Sequence, residues 1–538
     1  MKILKLCKPY LLRHRYAVLV YVAMSLLATA ISVLSPYLIG NFIDDLVEGG
    51  DMRVVLRFCV VFGGLSLIKI LKGYVNALIY AKMYTKMSYE LSMDTVRHIQ
   101  ALSLSYINGK DGAYLTQRIG NDSNSVMTFS INILQNTIAQ AFAFIVPLVV
   151  LLSLSPFIAS LMLSFLIVYM ALYLLFKKSL YNVGLAMREI SAKFFSRMLE
   201  QLKYVKIIKI NSIQPQINSR ADKVFTEYLS TVSRSQKINY LYSSMDAIVS
   251  VVAQVVLFVV GGMQILAGNF TIGMFTIFTS YFNMMLSSAR YFFSLGAAYQ
   301  KSLVSYDRIK EIVNQNKESH GTKLVNDINK IELRNLSLSY GAEGSFVGEF
   351  NAKFEKGKIY TICGSNGAGK TTLVGLMIGL YINEYLGTIK FNDIDIRDLD
   401  MPSIRNGLMS FAEQESMLVN DSIRFNIYFD DNIHNTALLE KSISILNMED
   451  FVTKNTLNFV INEKNSNISG GERQKISILK ALVKNAPVMI FDEPTSALDH
   501  DTTKKFMDYL HSIKYNKIII LITHDESIKA CSDDILEV

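Results

Sequence analysis

The chain has 538 residues, of which 51% are apolar and only 19% are charged, and its mean hydropathy is +0.28. Soluble proteins carry about 25% charged residues, so these values exclude a wholly soluble protein and indicate one membrane part and one globular part. The net charge of +8 predicts no nucleic-acid partner, because its basic residues flank apolar stretches, as cytoplasmic loops of membrane proteins do. Four scattered cysteines predict neither a metal site nor a disulfide framework.

The first half of the chain predicts a basic amphipathic helix followed by membrane spans. Residues 2–15 alternate basic and apolar side chains, as a helix lying on the cytoplasmic membrane face does. A span needs about 20 apolar residues. Six stretches qualify: Tyr16–Ile39, Phe58–Tyr80, Ile131–Leu152, Phe157–Phe176, Ala247–Ala267 and Gly273–Leu295.

The connections between the spans predict the topology. The link Asp44–Asp51 is acidic and two further short links are uncharged, so we expect these three to face outward. The connections Ala81–Ser130 and Lys177–Met245 are long, keep helical periodicity and contain few glycines or prolines. They are predicted to be helices that continue into the cytoplasm, which places both termini and the globular part on the cytoplasmic side of the cell membrane.

Three basic residues lie inside predicted spans. Lys69 and Lys72 share one face of the second span, and Arg290 interrupts the sixth. Charges at membrane depth usually face a wet cavity and mark a pathway, so all three are candidate substrate-pathway residues. The alternative is that their long side chains reach the membrane surface, or that the span limits are off by one helical turn.

The second half predicts a soluble α/β domain with a phosphate loop. Ile331–Tyr340 alternates as a half-exposed strand does. A β-branched run then leads into G-x-x-x-x-G-K-[ST] and a helix, an order in which backbone N–H groups and a helix N-terminus surround phosphates. An ordinary glycine-rich turn is the alternative. The predicted nucleotide-binding residues here are Gly364, Ser365, Asn366, Gly367, Ala368, Gly369, Lys370, Thr371 and Thr372.

Two further motifs follow the phosphate loop. Val488–Glu493 is a buried-strand pattern that ends in two carboxylates, of which Asp492 can hold Mg²⁺ and Glu493 can polarise an attacking water. Ser469, Gly470 and Gly471 open a helix and so offer a second phosphate-binding N-terminus.

Together these motifs resemble those of ABC exporters, over nearly the whole chain. The resemblance implies that Tyr340 stacks on adenine, with a core aromatic as the alternative, and that Gln414 senses Mg²⁺ alongside Thr371 and Asp492. It also implies that His524 contacts the γ-phosphate and that Asp499 continues the nucleotide site. In this family a short transverse helix, here within His98–Tyr106, couples the spans to the ATPase.

The sequence also departs from the family pattern at several positions. Ile468 and Glu472 replace the usual leucine and glutamine of the signature, and neither change removes a phosphate donor. Asn462 and Asn465 stand where the family has glycines. Only one further strand is expected after His524, within Asp533–Val538, where the family usually adds more.

We therefore predict an α-helical membrane domain of six transmembrane helices with long cytoplasmic extensions, fused to an α/β P-loop NTPase domain of ABC type. The predicted limits are 1–316 for the membrane domain, 317–329 for a linker and 330–538 for the ATPase domain. The implied function is export powered by ATP and Mg²⁺, through alternating access.

The predicted partners are a second half-transporter, membrane lipid and an unidentified substrate: peptide, lipid or drug. A homodimer is favoured because no motif is degraded. The alternatives are a membrane receptor or signalling protein that uses ATP as a switch, and an importer, whose ATPase would normally be a separate chain.

Overall fold

The computed structural model describes residues 2–108, 112–340, 344–365, 368–382, 384–414, 416–430, 435–462, 468–496 and 498–538. The chain divides into two compact units. The helical unit comprises Met1–Arg97 and Ala113–Asn314, and the α/β unit comprises His98–Gly112 and Gln315–Val538.

Long helices dominate the chain before Gln315. Their bounds are α1 (Lys2–Arg13), α2 (Arg15–Val47), α3 (Met52–Gln100), α4 (Leu104–Asn108), α5 (Gly112–Leu154), α6 (Pro156–Lys203), α7 (Val205–Asn211), α8 (Gln214–Leu266) and α9 (Ile272–Val313). Both long connections are largely helical beyond the predicted spans, with breaks at 101–103 between α3 and α4, at Tyr204 between α6 and α7, and after α7. Ser212 ends α7 with φ +52°, in the left-handed region that favours chain reversal over helix.

Within the described residues, five helices are long and apolar enough to cross a membrane: α2, α3, α5, α6 and α8. The sixth predicted span lies in α9, which has the length. Its apolar character is lower because Asn283, Ser287 and Arg290 lie within it. The crossing by α9 therefore remains a prediction.

The C-terminal end of α2 and the N-terminal end of α9 are joined closely through glycine and a carboxylate. Asp44 accepts hydrogen bonds from the Thr271 hydroxyl at 2.6 Å and from the Gly273 backbone N–H at 2.7 Å. A Cβ added to Gly273 would lie 2.0 Å from the Gly40 carbonyl oxygen, so only glycine allows the two backbones to approach this closely. The acidic link Asp44–Asp51 predicted from the sequence thus also caps α9, through Asp44.

The α/β unit contains two sheets. Its strands are β1 (Lys330–Tyr340), β2 (Gly344–Glu355), β3 (Lys358–Cys363), β4 (Tyr385–Phe391), β5 (Ile394–Asp395), β6 (Met409–Ala412), β7 (Val488–Asp492), β8 (Ile518–Ile522) and β9 (Asp534–Glu537). One sheet is antiparallel in the order β2-β1-β4-β5, and the other is parallel in the order β6-β7-β8-β3-β9. The strand expected after His524 is β9, which pairs with the phosphate-loop strand β3.

The parallel sheet is buried on both faces, which explains its continuous apolar strands. In β8, Ile518, Ile520 and Ile522 pack towards the antiparallel sheet, whereas Ile519 and Leu521 pack towards helices. Those helices and the remaining ones are α10 (Lys370–Met377), α11 (Met401–Gly407), α12 (Ile423–Tyr428), α13 (Thr436–Ile445), α14 (Glu449–Asn455), α15 (Gly470–Lys484), α16 (His500–Ile513) and α17 (Glu526–Ala530).

The short helix α4 belongs to the α/β unit, although it lies between two long helices in the sequence. Leu104 packs against the core between the two sheets. The Ser105 hydroxyl donates a hydrogen bond to the Glu384 carboxylate at 2.5 Å, and the Glu318 backbone N–H donates to the Ala101 carbonyl at 2.8 Å. The segment predicted to be a transverse coupling helix is thus attached to the α/β unit.

Candidate nucleotide site

The phosphate loop joins β3 to α10, and Gly369 is the residue that starts the helix. Its φ of +93° lies in the left-handed region, which glycine adopts without strain. The Lys370 ammonium donates hydrogen bonds to the carbonyl oxygens of Gly364 at 2.8 Å and Ser365 at 3.2 Å. These contacts hold the lysine across its own loop. Asn366 and Gly367, also predicted to bind nucleotide, lie outside the described residues.

Asp492 ends the buried strand β7 and lies beside the start of α10. The Thr371 hydroxyl donates to its carboxylate at 3.1 Å. Burial raises the pKa of Asp492, the Thr371 hydrogen bond opposes this, and the neighbouring Glu493 raises it further. A hydroxyl and a carboxylate oxygen at this spacing are ligands of the kind that Mg²⁺ prefers, so the residues present fit the predicted metal.

Glu493 follows Asp492 in a strained backbone conformation. Its φ is +48°, which is uncommon for a residue with a side chain and often marks a functional site. Its N–H donates to the Ile522 carbonyl at 2.8 Å, and its own carbonyl accepts from the Gln474 side chain at 2.6 Å. Its carboxylate lies 3.8 Å from His524 Nε2. The backbone is thereby held from two sides, and the side chain points towards His524.

Sequence reasoning gave no role to Gln474, which fixes the position of Glu493. The Gln474 amide also pairs with the Ser496 hydroxyl at 2.9 Å, and its side chain is buried on α15. The only signal in the sequence was its place on the inward face of the helix that follows the signature.

The predicted catalytic and phosphate-binding residues converge on one pocket of about 310 Å³. Lys370 Nζ lies 2.8 Å from His524 Nε2, which closes one side of it. The pocket is lined by Gly369, Lys370, Thr371, Thr372, Gln414, Asp492, Glu493 and His524. All eight were predicted from the sequence, and they come from four separate stretches of the chain.

The signature residues do not line this pocket. Ser469 caps α15, and its hydroxyl accepts from the Glu472 backbone N–H at 3.2 Å. The Glu472 carboxylate in turn accepts from the Ser469 backbone N–H at 2.7 Å and from its hydroxyl at 2.8 Å. This reciprocal capping box occupies the helix N-terminus that was predicted to bind phosphate.

Asp499 also lies apart from the pocket lining, and Tyr340 is described by its backbone alone. The Asp499 carboxylate caps α16 by accepting from the Thr502 backbone N–H at 2.7 Å. The backbone of Tyr340 ends β1, whereas its side chain is outside the described residues. The nucleotide roles of both residues remain predictions.

The three basic residues predicted for a pathway differ from one another. Lys69 is exposed and Lys72 is buried on the same helix. Arg290 forms an ion pair with Asp246 at 3.0 Å and donates to the Ser250 hydroxyl at 3.0 Å. Asp246 lies one residue before the predicted fifth span, so this acidic partner was not counted among the span residues. Arg290 therefore has a partner within the protein.

Two family models match the chain, one in each half. A model described as the ABC transporter transmembrane region matches residues 18–289, which is just over half of the chain. A second model, described as ABC transporter, matches residues 347–496. The chain belongs to the ABC transporter family. It is a multi-pass membrane protein that binds nucleotide and couples ATP hydrolysis to export.

Relatives of this ABC transporter match over nearly its whole length. The lactococcin G processing and transport ATP-binding protein of Lactococcus lactis is 24% identical, over 95% of this chain and 73% of its own length. A lipid A-core flippase of Syntrophus aciditrophicus is 25% identical, over 97% and 87%. The microcin J25 export protein of Escherichia coli is 23% identical, over 94% and 88%.

The fold also matches a solved exporter. A bacterial Atm1-family ABC exporter with ATP bound superposes with a TM-score of 0.83 at 19% sequence identity, over 97% of this chain and 93% of that one. At this identity the match establishes a shared fold.

Proposed function

We propose that the protein works as a dimer of half-transporters that exports its substrate across the cytoplasmic membrane by alternating access. Both termini and the ATPase domain would lie in the cytoplasm, and the domain limits would be 1–316, 317–329 and 330–538. The observation that carries the proposal is the separation of the two phosphate-binding features. Lys370 and Glu493 line one pocket, whereas Ser469 opens a helix that does not line it.

A second copy would supply the missing part. The phosphate loop of one protomer would face the Ser469 helix of the other, so that ATP lies between them. Both features are intact in this chain, which supports a homodimer. ATP binding would then close the dimer, and hydrolysis would release it.

Each residue of the pocket has a distinct task in hydrolysis. The Lys370 ammonium, now bonded to two loop carbonyls, would turn to the phosphates. Glu493, whose backbone is held by Gln474 and Ile522, would orient and polarise the attacking water. His524 Nε2 would contact the γ-phosphate. Thr371, Asp492 and Gln414 would hold Mg²⁺, which supplies charge neutralisation on the phosphates.

The first test replaces Glu493 by glutamine in the full-length protein in lipid nanodiscs. Glu493→Gln keeps the side-chain shape but removes the charge that polarises water. We expect ATP to bind with parental affinity, hydrolysis to fall by at least about 100-fold and an ATP-bound dimer to accumulate. Rapid turnover in the variant would contradict the role of Glu493.

A second test addresses the shared site directly. Lys370→Met damages the phosphate loop, and Ser469→Arg damages the facing helix, so either homodimer has two broken sites. A mixed dimer of the two variants has one site with both parts intact. Co-expression should therefore restore ATP hydrolysis that neither variant shows alone. If the mixture stays inactive, the site is not shared between two copies of this chain.

A receptor or signalling protein remains the alternative. Such a protein would bind ATP without net transport, so ATP-dependent accumulation of substrate inside inverted vesicles distinguishes the two. The relatives are named for transport of lactococcin G, export of microcin J25 and flipping of lipid A-core. They support export without selecting a substrate class.

A further inference from the structure

Two cavities open along α5 and α9 within the helical unit. The first, the Asn132 cavity, has a volume of about 620 Å³, and its α5 wall includes Asn124, Thr128, Asn132 and Asn136. The second, the Gln140 cavity, has a volume of about 490 Å³ and is lined in part by Gln140, Asn283 and Ser287.

The two cavities follow each other along the same pair of helices. On α5 the lining positions pass from Asn132 through Asn136 to Gln140 at four-residue intervals, which is one helix face. From Asn121 to Ala143 this face extends about 33 Å at 1.5 Å per residue, from the predicted cytoplasmic extension of α5 into the predicted third span. We call this face and the facing side of α9 the amide track.

The amide track is almost free of charge. The described lining residues of the Gln140 cavity include no charged side chain. Those of the Asn132 cavity include Asp122 and Lys301. The Asp122 carboxylate lies 3.9 Å from Arg118 and 3.8 Å from Arg308, so its charge is already balanced within the protein. Away from Lys301, a ligand in this track would meet amides and hydroxyls in place of unbalanced fixed charges.

Two amides in the middle of the track have no hydrogen-bond partner among the described residues. Among the described residues, neither the Asn132 nor the Asn136 side chain hydrogen-bonds to another residue, whereas Gln140 accepts from the Ser288 hydroxyl at 2.8 Å. Both side chains are half-exposed within the cavity, near the start of the predicted third span. A polar group away from bulk water is unfavourable without a hydrogen bond, so water or a ligand would complete the hydrogen bonding of these side chains.

We propose that the amide track binds an uncharged, extended peptide segment through its backbone. Each asparagine or glutamine side chain offers the same C=O and N–H pair as a peptide bond. The amides recur about every 6 Å along α5, and the groups on one edge of an extended chain recur about every 6.7 Å. The inference rests on the proposed export function and assigns it a substrate class.

The test uses the full transporter in proteoliposomes and three defined probes. The first is an uncharged, end-capped peptide of alternating serine and valine, about ten residues long so that it spans the track. The second is the same peptide with N-methylated backbone amides, and the third is a neutral oligosaccharide. We expect only the first to stimulate ATP hydrolysis and to be transported.

Substitutions then locate the binding site. The double variant Asn132→Leu with Asn136→Leu preserves side-chain size and removes both amides. The peptide concentration for half-maximal stimulation should rise by about tenfold, since two hydrogen bonds are lost. The matched control is Gln264→Leu, an amide of α8 that lines neither cavity and bonds to Asn269. It should leave both basal hydrolysis and the peptide response as in the parent.

The outcomes separate this inference from the proposed function. If the parent hydrolyses ATP and Glu493→Gln abolishes that activity, the ATPase assignment stands whatever the probes do. The inference is overturned if the N-methylated peptide or the oligosaccharide stimulates as well as the first probe. It is also overturned if no peptide stimulates, or if the double variant responds at the parental concentration.

Discussion

Replacing Glu472 by glutamine should have opposite effects on the stability of α15 and on ATP binding. The Glu472 carboxylate accepts two hydrogen bonds from Ser469, at 2.7 and 2.8 Å, and lies at the N-terminus of α15. In the proposed dimer, the γ-phosphate held by the partner's phosphate loop approaches this same N-terminus. The carboxylate and the phosphate then compete for the Ser469 hydrogen bonds.

The size of the effect follows from these bonds. Hydrogen bonds to a charged group contribute about 1.5–3 kcal/mol each, against about 0.5–1.5 for neutral groups. Because Ser469 and Glu472 are solvent-accessible, the lower values apply. The glutamine oxygen retains neutral hydrogen bonds, so the cap loses about 1–2 kcal/mol, including its charge–dipole contribution. Phosphate then competes with a cap that is weaker by the same 1–2 kcal/mol. The apparent ATP affinity should therefore increase by a factor of about 5–30.

The assay measures ATP-dependent dimer formation in the Glu493→Gln background, together with thermal unfolding without nucleotide. Glu472→Gln should form the dimer at lower ATP concentration and yet unfold at lower temperature. Higher salt should narrow the affinity difference, because the competing charges are exposed. The control is Glu449→Gln, the same change in the first turn of α14, which should leave ATP dependence unaltered.

A weaker ATP response in Glu472→Gln would refute the reasoning. It would mean that the carboxylate positions Ser469 for the phosphate, so that capping and phosphate binding cooperate. An unchanged response would place the phosphate away from this N-terminus.

Three further predictions concern other parts of the chain. Tyr340→Ala should weaken nucleotide binding by about 1–3 kcal/mol if the ring stacks on adenine, and Tyr340→Phe should bind like the parent; equal affinity in both variants, measured by calorimetry, would make Tyr340 a core residue. Lys69→Gln tests the competing expectation of an anionic substrate: if the ammonium lines the pathway, the variant should transport substrates with a carboxylate or phosphate less well, and equal transport by both proteins in vesicles would end that hypothesis. Burial lowers the pKa of Lys517 from 10.5 to about 8. Between pH 8 and 10.5 the unfolded chain therefore binds more protons than the folded protein. The free energy of unfolding should rise by up to about 3 kcal/mol over this pH range. Lys517→Met should lack this rise in calorimetric unfolding, and a parent-to-variant difference that stays constant with pH would contradict it.

The sequence predicted most of the fold because its patterns are long and repetitive. Five apolar stretches became helices that can cross a membrane, and the phosphate loop lies between β3 and α10 as the strand–loop–helix pattern indicated. The pocket residues were predictable because each belongs to a short motif with fixed chemistry. Their convergence required only that parallel strands end at one edge of a sheet.

What the sequence did not reveal depends on single contacts between distant residues. The ion pair of Arg290 with Asp246 was missed because Asp246 lies just outside a predicted span. The left-handed backbone of Glu493 and the hydrogen bond from Gln474 have no local signal, since both depend on how β7, β8 and α15 pack. The capping of α15 by Glu472 could have been read from the spacing of Ser469 and Glu472, which is that of a capping box.

The attachment of α4 to the α/β unit affects the order in which the protein folds. The Ser105 and Glu384 side chains that meet there are 279 residues apart in the chain, and contacts of such separation form late. During synthesis this helix leaves the ribosome long before the strands against which Leu104 packs. The α/β unit expressed without residues 98–112 would therefore expose an apolar surface. In the full-length chain, a disruptive change such as Leu104→Asp should lower the yield of folded protein although the ATP site is unchanged.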